Sequence, residues 1–325
     1  MFRCRIADLN IEANVVYKIA ESTTKPFHTE FDTPDIVINS SLEIIEHEKA
    51  IAQEKMNGTS IYEKTAVFRL LAEQLPKFDA LVLHSCAFKV KDKVIALGAC
   101  SGTGKTTHMM LWKDMLGDDF EIINGDKPIV RFLNNAESGI NPSASFLGTS
   151  PQRGGGNEFP NSKQPPIKRE GDMNCCIENN LPFEGRGTAC GGGVETDSRR
   201  QTTDGRQQTT DVRCQTSDGR QLKSNIPYAY GTPWAGKENL YNNIKAELTD
   251  ICRIVRSETN RTRRMSREDG IALLMQQVYM PFDPEMRIKT IELIYKLADS
   301  VRFWEIACNM EPEAAKTAYE AIFGE

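Results

Sequence analysis

The stretch that most constrains this chain is VIALGACSGTGKTTHMMLW, residues 94–112, an apolar run that ends in a glycine-rich loop and continues as a helical pattern. A strand feeding such a loop turns consecutive backbone N–H groups toward one centre, and the helix behind adds the positive end of its dipole. The result is a cradle for an anion. In the spacing GxxxxGK[ST], the lysine reaches the β- and γ-phosphates of a nucleotide and the next hydroxyl holds Mg²⁺. Here the pattern occupies 99–106, with Ala99 at the first glycine position and Gly98 one residue too early. Ser101, Gly102, Thr103, Gly104, Lys105, Thr106 and Thr107 are the expected nucleotide contacts, with ATP and Mg²⁺ as the ligands.

A second element follows at the spacing such a site needs. FEIINGDKPIV, 120–130, is an apolar strand ending in an acidic residue, where a carboxylate can meet the metal or the attacking hydroxyl. Asp126 is the candidate, so the expected metal ligands are Thr106 and Asp126. Asp118 and Asp119 precede the strand and read as solvated turn residues. His84, in VLHSCAF, ends an apolar strand, a place where core histidines are common.

Around these motifs, residues 1–133 alternate apolar runs with helical patterns in the manner of an α/β domain. Strands over about 81–90 and 94–98 predict a hairpin across 91–93. Residues 134–224 differ in kind: 91 positions hold 11 Leu, Ile, Val and Phe, no Tyr or Trp, and 13 of the 23 glycines. That is below the proportion of large apolar residues a segment needs to fold by itself, so a disordered insertion is expected. It contains seven-residue repeats at 194–221, with Thr-Asp-x-Arg at 196–199, 203–206 and 210–213 and Ser-Asp-Gly-Arg at 217–220. A coiled coil needs two apolar positions in seven, and this unit has none.

From 225 the folded pattern returns. Short strands surround YGTPWAGK, 230–237, and Ser266 with Asp269 marks a helix start. Asp283-Pro284 opens a second helix, VRFWEIAC reads as a strand, and the last helix stops at Gly324.

The totals narrow the setting. A net charge of −5 gives no general electrostatic reason to bind nucleic acid or an anionic membrane. No apolar run reaches the roughly 20 residues that span a bilayer, and the first residues have no signal-peptide core, so a cytoplasmic protein is expected. Nine cysteines without a Cys-x-x-Cys pair read as reduced thiols, and adjacent Cys175 and Cys176 suit tetrahedral zinc poorly.

Taken together, SGTGKTTH, INGDKP and YGTPWAGK resemble the HPr kinase-like branch of the phosphoenolpyruvate carboxykinase superfamily. The resemblance covers about 1–133 and 225–325 and implies one mixed-sheet P-loop kinase domain of α/β class, interrupted by the 134–224 insertion, with 1–75 an N-terminal subregion. It implies an ATP-dependent kinase that transfers the γ-phosphate to a hydroxyl, foremost a serine of a protein or peptide partner, and it is compatible with an oligomer. In that family a histidine about fifteen residues before the P-loop helps an aspartate act as base. His84 stands at that distance from Ala99, so Asp126, His84 and Lys105 are the expected catalytic residues.

The sequence departs from the family in two places. Gly125-Asp126 stands where the family carries two adjacent aspartates, and Tyr228 and Tyr230 stand where it carries a glutamate and an arginine. Lys237 and Glu238 are candidates to take over phosphate and metal contacts; otherwise the segment is a structural turn in which Trp234 packs. Arg253, Arg256, Arg261 and Arg264 form a basic run that reads as a solvated face rather than an anion site. A small-molecule or natural-product kinase, or a nucleotide-binding regulator without turnover, remain the rival functions.

Overall fold

The computed structural model describes residues 1–52, 58–133 and 226–324. The 134–224 segment and its repeats thus lie outside the described residues.

Strict alternation of buried and exposed residues builds the first layer. β1 (Phe2–Ile6) and β2 (Leu9–Asn14) pair antiparallel through a two-residue turn, where Ala7 and Asp8 both have positive φ. β3 (Ile36–Asn39) adds parallel to β2 and completes a three-stranded sheet. Three helices accompany it: α1 (Ile19–Thr24), α2 (Leu42–Ile51), capped by Ser41, and α3 (Thr59–Gln74). The Glu63 carboxylate on α3 is fully buried and accepts the backbone N–H groups of Val16 at 2.6 Å and Tyr17 at 2.7 Å. Two charge-assisted bonds of that kind fix α3 to the chain that leads into α1.

The second layer is a nine-stranded mixed sheet. The strands are β4 (Ala80–Val82), β5 (Ser85–Val90), β6 (Lys93–Gly98), β7 (Phe120–Asn124), β8 (Ile129–Leu133), β9 (Ile226–Tyr230), β10 (Lys245–Arg256), β11 (Arg261–Arg264) and β12 (Arg302–Cys308). Along the main path the order is β4-β8-β9-β10-β6-β5-β7, with β12 on β10 and β11 on β12. β10 is the splice. Its start pairs antiparallel with β9, its later residues pair parallel with β12, and it runs parallel to β6. Apolar side chains on both faces of β6 and β10 account for this central position, since a strand buried on two sides needs no polar face.

Four helices cover this sheet: α4 (Lys105–Leu116), α5 (Arg267–Gln277), α6 (Pro284–Ser300) and α7 (Glu313–Phe323). Ser266 and Asp283 cap α5 and α6 by accepting the N–H groups of Asp269 and Met286, as their sequences predict. Trp112 of α4 is fully buried among Phe88, Tyr319 and Phe323, which locks α4 and α7 onto one face.

Two features refine the sequence reading. The strand expected over 81–90 divides, because Leu83 bridges to Val278 and the His84 N–H bonds to Gln277 O at the end of α5. β4 and β5 therefore join different parts of the sheet, while β5 and β6 form the expected hairpin. β8 and β9 are antiparallel partners, and Leu133 faces Ile226, so the described residues on either side of 134–225 meet at one rung.

Candidate functional site

The loop between β6 and α4 has the form its glycines require. Gly104 has φ +117, a conformation other residues rarely adopt, and the first N–H groups of α4 open toward the loop. The Lys105 ammonium lies inside the loop and donates to Ala99 O at 2.9 Å. Burial lowers its pKa, partly offset by Cys86 and Asp126.

From Lys105 a line of charged and polar atoms leads to the end of β7. The ammonium is 3.3 Å from His84 Nε2, that nitrogen is 3.3 Å from Asp126 Oδ1, and Asp126 Oδ2 accepts from Lys127 Nζ at 2.6 Å. Burial opposes the charge on Asp126, but the His84 bond and Lys127 outweigh it and hold the carboxyl well below the usual carboxylate range. Asp126 is thus ionised. One ring nitrogen serves two neighbours, so it either accepts from Lys105 or carries a proton toward Asp126.

The turn that aims Asp126 is built by Asn124. Its fully buried side chain accepts the N–H groups of Asp126 and Lys127 at 2.8 and 2.7 Å and donates to Thr232. Such Asx turns are a short-range property of asparagine, and Asn-Gly-Asp carries that signal in the sequence. Cys86 ties the turn to α4: its thiol donates to Gly125 O at 2.9 Å and touches Thr106 Oγ1 at 4.0 Å. Burial pushes that thiol up to about 12, which keeps it protonated and a donor. Cys86 thereby links Thr106 at the start of α4 to the backbone of the residue before Asp126. Among the described residues no group of three or more His, Cys, Asp and Glu forms a metal cage.

The segment 231–244 folds back across this turn. Gly231 N–H donates to Ile244 O, Asn242 N–H to Ile123 O, and Gly125 N–H to Leu240 O at 2.8 Å, so the sheet curls from β7 toward β9. A Cβ at Gly125 would meet Ala235 O, Leu240 Cβ and Leu240 O, each at 3.3 Å, which explains why a side chain is poorly accommodated beside Asp126. Gly236 brings the segment onto Asp126, with Glu238 alongside; a Cβ on Gly236 would be 3.2 Å from Asp126 Cβ and 3.6 Å from Glu238 Oε2. Both candidates there, Lys237 and Glu238, are exposed, and Glu238 has its carboxylate alongside Gly236, the residue that abuts Asp126. Trp234 packs against Phe68, with ring centroids 4.9 Å apart.

Other expectations divide. Tyr228 and Tyr230 are buried in the core beneath the N-terminal sheet, where the Tyr230 hydroxyl donates to Asp8 at 2.7 Å. Asp118 and Asp119 are exposed, as expected. Within the basic run, Arg253 pairs with Glu305 and Arg264 covers Trp304, and Arg256, exposed as a solvated-face residue should be, also donates to Gly102 O and to Thr103 O at 3.2 Å. Arg256 reaches the loop because β10 is parallel to β6, so both strands end at the same edge. Cys4, Cys86, Cys252 and Cys308 are buried free thiols. No described helix is long and apolar enough to cross a membrane.

The fold and this arrangement define an α/β protein with a mixed, curled sheet whose glycine-rich loop faces an ionised aspartate. No protein-family model and no curated protein sequence matches the chain.

Proposed function

We propose that this protein is an ATP-dependent kinase of the HPr kinase-like type, which transfers the γ-phosphate to a hydroxyl, foremost a serine of a protein or peptide. The observation that carries the reading is the line Lys105, His84, Asp126, Lys127, in which a buried loop lysine and an ionised carboxylate share one imidazole nitrogen. Ser101, Gly102, Thr103, Gly104, Lys105, Thr106 and Thr107 would hold the triphosphate, and Thr106 and Asp126 the Mg²⁺. Bound Mg²⁺ supplies charge neutralisation among the phosphates.

Lys105 then exchanges Ala99 O and His84 for phosphate oxygens. His84, relieved of the ammonium, can give its nitrogen wholly to Asp126 and hold the carboxylate in one orientation. Asp126 aims the acceptor hydroxyl and takes its proton late. A carboxylate this acidic is a weak base, but phosphoryl transfer has a loose transition state and asks mainly for positioning. A single aspartate can serve where the resembled family has two, and Gly125 leaves space only for one.

A regulator without turnover was motivated by tyrosines at positions 228 and 230. Both side chains pack in the core beneath the N-terminal sheet and supply no charge in place of the resembled family's glutamate and arginine, so that rival stands beside the kinase reading. The test is transfer from labelled ATP to protein acceptors by the wild-type chain and by Lys105→Ala. Loss of at least roughly a hundredfold is expected, the scale for removing one preorganised charge from a transition state. An undiminished rate in the variant would sink the mechanism.

A further inference from the structure

β10 outruns its neighbour β6. Their last rung sets Arg253 opposite Gly98, so residues 254–256 continue past the point where β6 turns into the phosphate loop. On its other side β12 holds β10 to the end: Arg256 faces Cys308, and the Ser257 N–H donates to Cys308 O at 2.9 Å. Side chains alternate along a strand, and Ile254 is buried in the cluster that α4 and α7 cover, so Arg256 emerges on the same face, past that cover. An exposed arginine is thus mounted on a paired strand beside a loop with little packing of its own: a Cβ at Gly102 would meet no atom within 4 Å.

The two bonds that Arg256 makes set the direction of the loop's amides. Its Nη2 donates to Gly102 O and its Nε to Thr103 O at 3.2 Å, so the fork of one guanidinium takes two successive carbonyls. In a trans peptide the carbonyl and the following N–H point in opposite directions. Holding Gly102 O therefore sends the Thr103 N–H back across the loop, where it donates to Cys100 O at 3.2 Å, and holding Thr103 O turns the Gly104 N–H away from Arg256. Gly102 and Gly104, with φ +76 and +117, flank Thr103, and alternation of this kind gathers N–H groups into an anion-binding hollow. Glycines leave many other conformations open, so the hollow is easily lost unless something holds it. A carbonyl that turned inward would meet a phosphate with the wrong sign.

Resting on the kinase reading above, we infer that Arg256 is a positioning residue of the phosphate loop, which holds the Gly102 and Thr103 carbonyls outward and so presents the loop's N–H groups to the triphosphate before it arrives. Arg256 acts on the backbone and not on the reacting atoms. The nucleotide then meets glycines that are already ordered, so the cost of ordering them does not weaken its binding.

The test compares the full wild-type chain with Arg256→Ala and Arg256→Lys, titrating each with ATP and with inorganic tripolyphosphate. Arg256→Ala should bind both ligands roughly tenfold more weakly and by the same factor, the scale of a hydrogen bond to a charged group. Arg256→Lys, which keeps a donor and loses the fork, should fall between that variant and the wild type. In transfer from labelled ATP the loss should lie in KM, with kcat within about twofold of the wild type. Hydrogen exchange on the ligand-free chains should be faster across 101–105 in Arg256→Ala, with the melting temperature unchanged. Neither a direct phosphate contact nor a general structural role produces that pair of results. Unchanged affinity in Arg256→Ala, loop exchange identical to the wild type, or exchange raised throughout the chain with a lowered melting temperature each overturns the inference. So does a loss confined to ATP and absent with tripolyphosphate, which would move Arg256 to the nucleoside. If the wild-type chain binds neither ligand, the kinase reading falls, and this inference with it.

Discussion

The phosphate loop at 99–105 and the returning segment at 231–244 both depend on glycine, for opposite reasons. Gly104 has a left-handed backbone, and the nearest atoms to an added Cβ are the thioether of Met310 at 3.5 Å, so its surroundings are permissive. Gly231 has ordinary dihedral angles, but a Cβ there would stand 1.8 Å from Asn242 O. One glycine shapes an open loop and the other allows two backbones to touch. The loop leaves space around it, whereas the crossing is closed by backbone contact and places Glu238 near Asp126.

The contrast can be broken most forcefully at Gly231. Gly231→Ala should cost roughly 4 kcal/mol or more, because backbone on backbone cannot relax as a flexible side chain can, and denaturant unfolding would measure it. If it melts like the wild type, the crossing is not what curls the sheet. Gly104→Ala should cost only about 1–2 kcal/mol for the left-handed backbone while weakening ATP binding, seen by nucleotide titration. Asp126→Asn should slow transfer by about a hundredfold and leave ATP affinity within a few fold, which separates acceptor handling from nucleotide binding.

A pH experiment sharpens the comparison further. His108, one turn into α4, is buried with neither ring nitrogen hydrogen-bonded, and burial lowers its pKa from 6.5. The folded state therefore binds fewer protons than the unfolded chain as pH falls. Stability is fully present above pH 6.5 and declines below it. Thermal melts between pH 7.5 and 5 should show the decline, and His108→Leu should flatten it, placing acid sensitivity behind the phosphate loop. The smallest effect is expected from replacing 134–224 by a short glycine-containing turn. ATP binding should survive, since Leu133 and Ile226 already face each other across the β8 and β9 ladder.

Much of this arrangement was legible because it is local. The apolar run before Ala99, the helix opening at Lys105, the caps Ser266 and Asp283, and the acidic end of β7 each follow from neighbours within a few residues. What escaped the sequence depends on distant partners. The break at His84 is made by Gln277 and Val278, and the burial of Tyr228 and Tyr230 is made by the N-terminal sheet at 2–39. Arg256 is the surface charge its sequence suggests, but its contact with the loop follows only from the parallel pairing of β10 with β6. No periodicity encodes such a pairing.

The rung at Leu133 and Ile226 has a consequence for engineering. Facing residues on antiparallel strands are about 5 Å apart, a gap that matches the closely spaced termini of many independent domains. A fluorescent or ligand-binding module with adjacent ends could therefore be spliced in at this point without stretching either strand. Because β8 begins two residues after Lys127 ends the turn, strain in such a module would have a short path to Asp126, making the rung a natural input port for a switchable version of the protein.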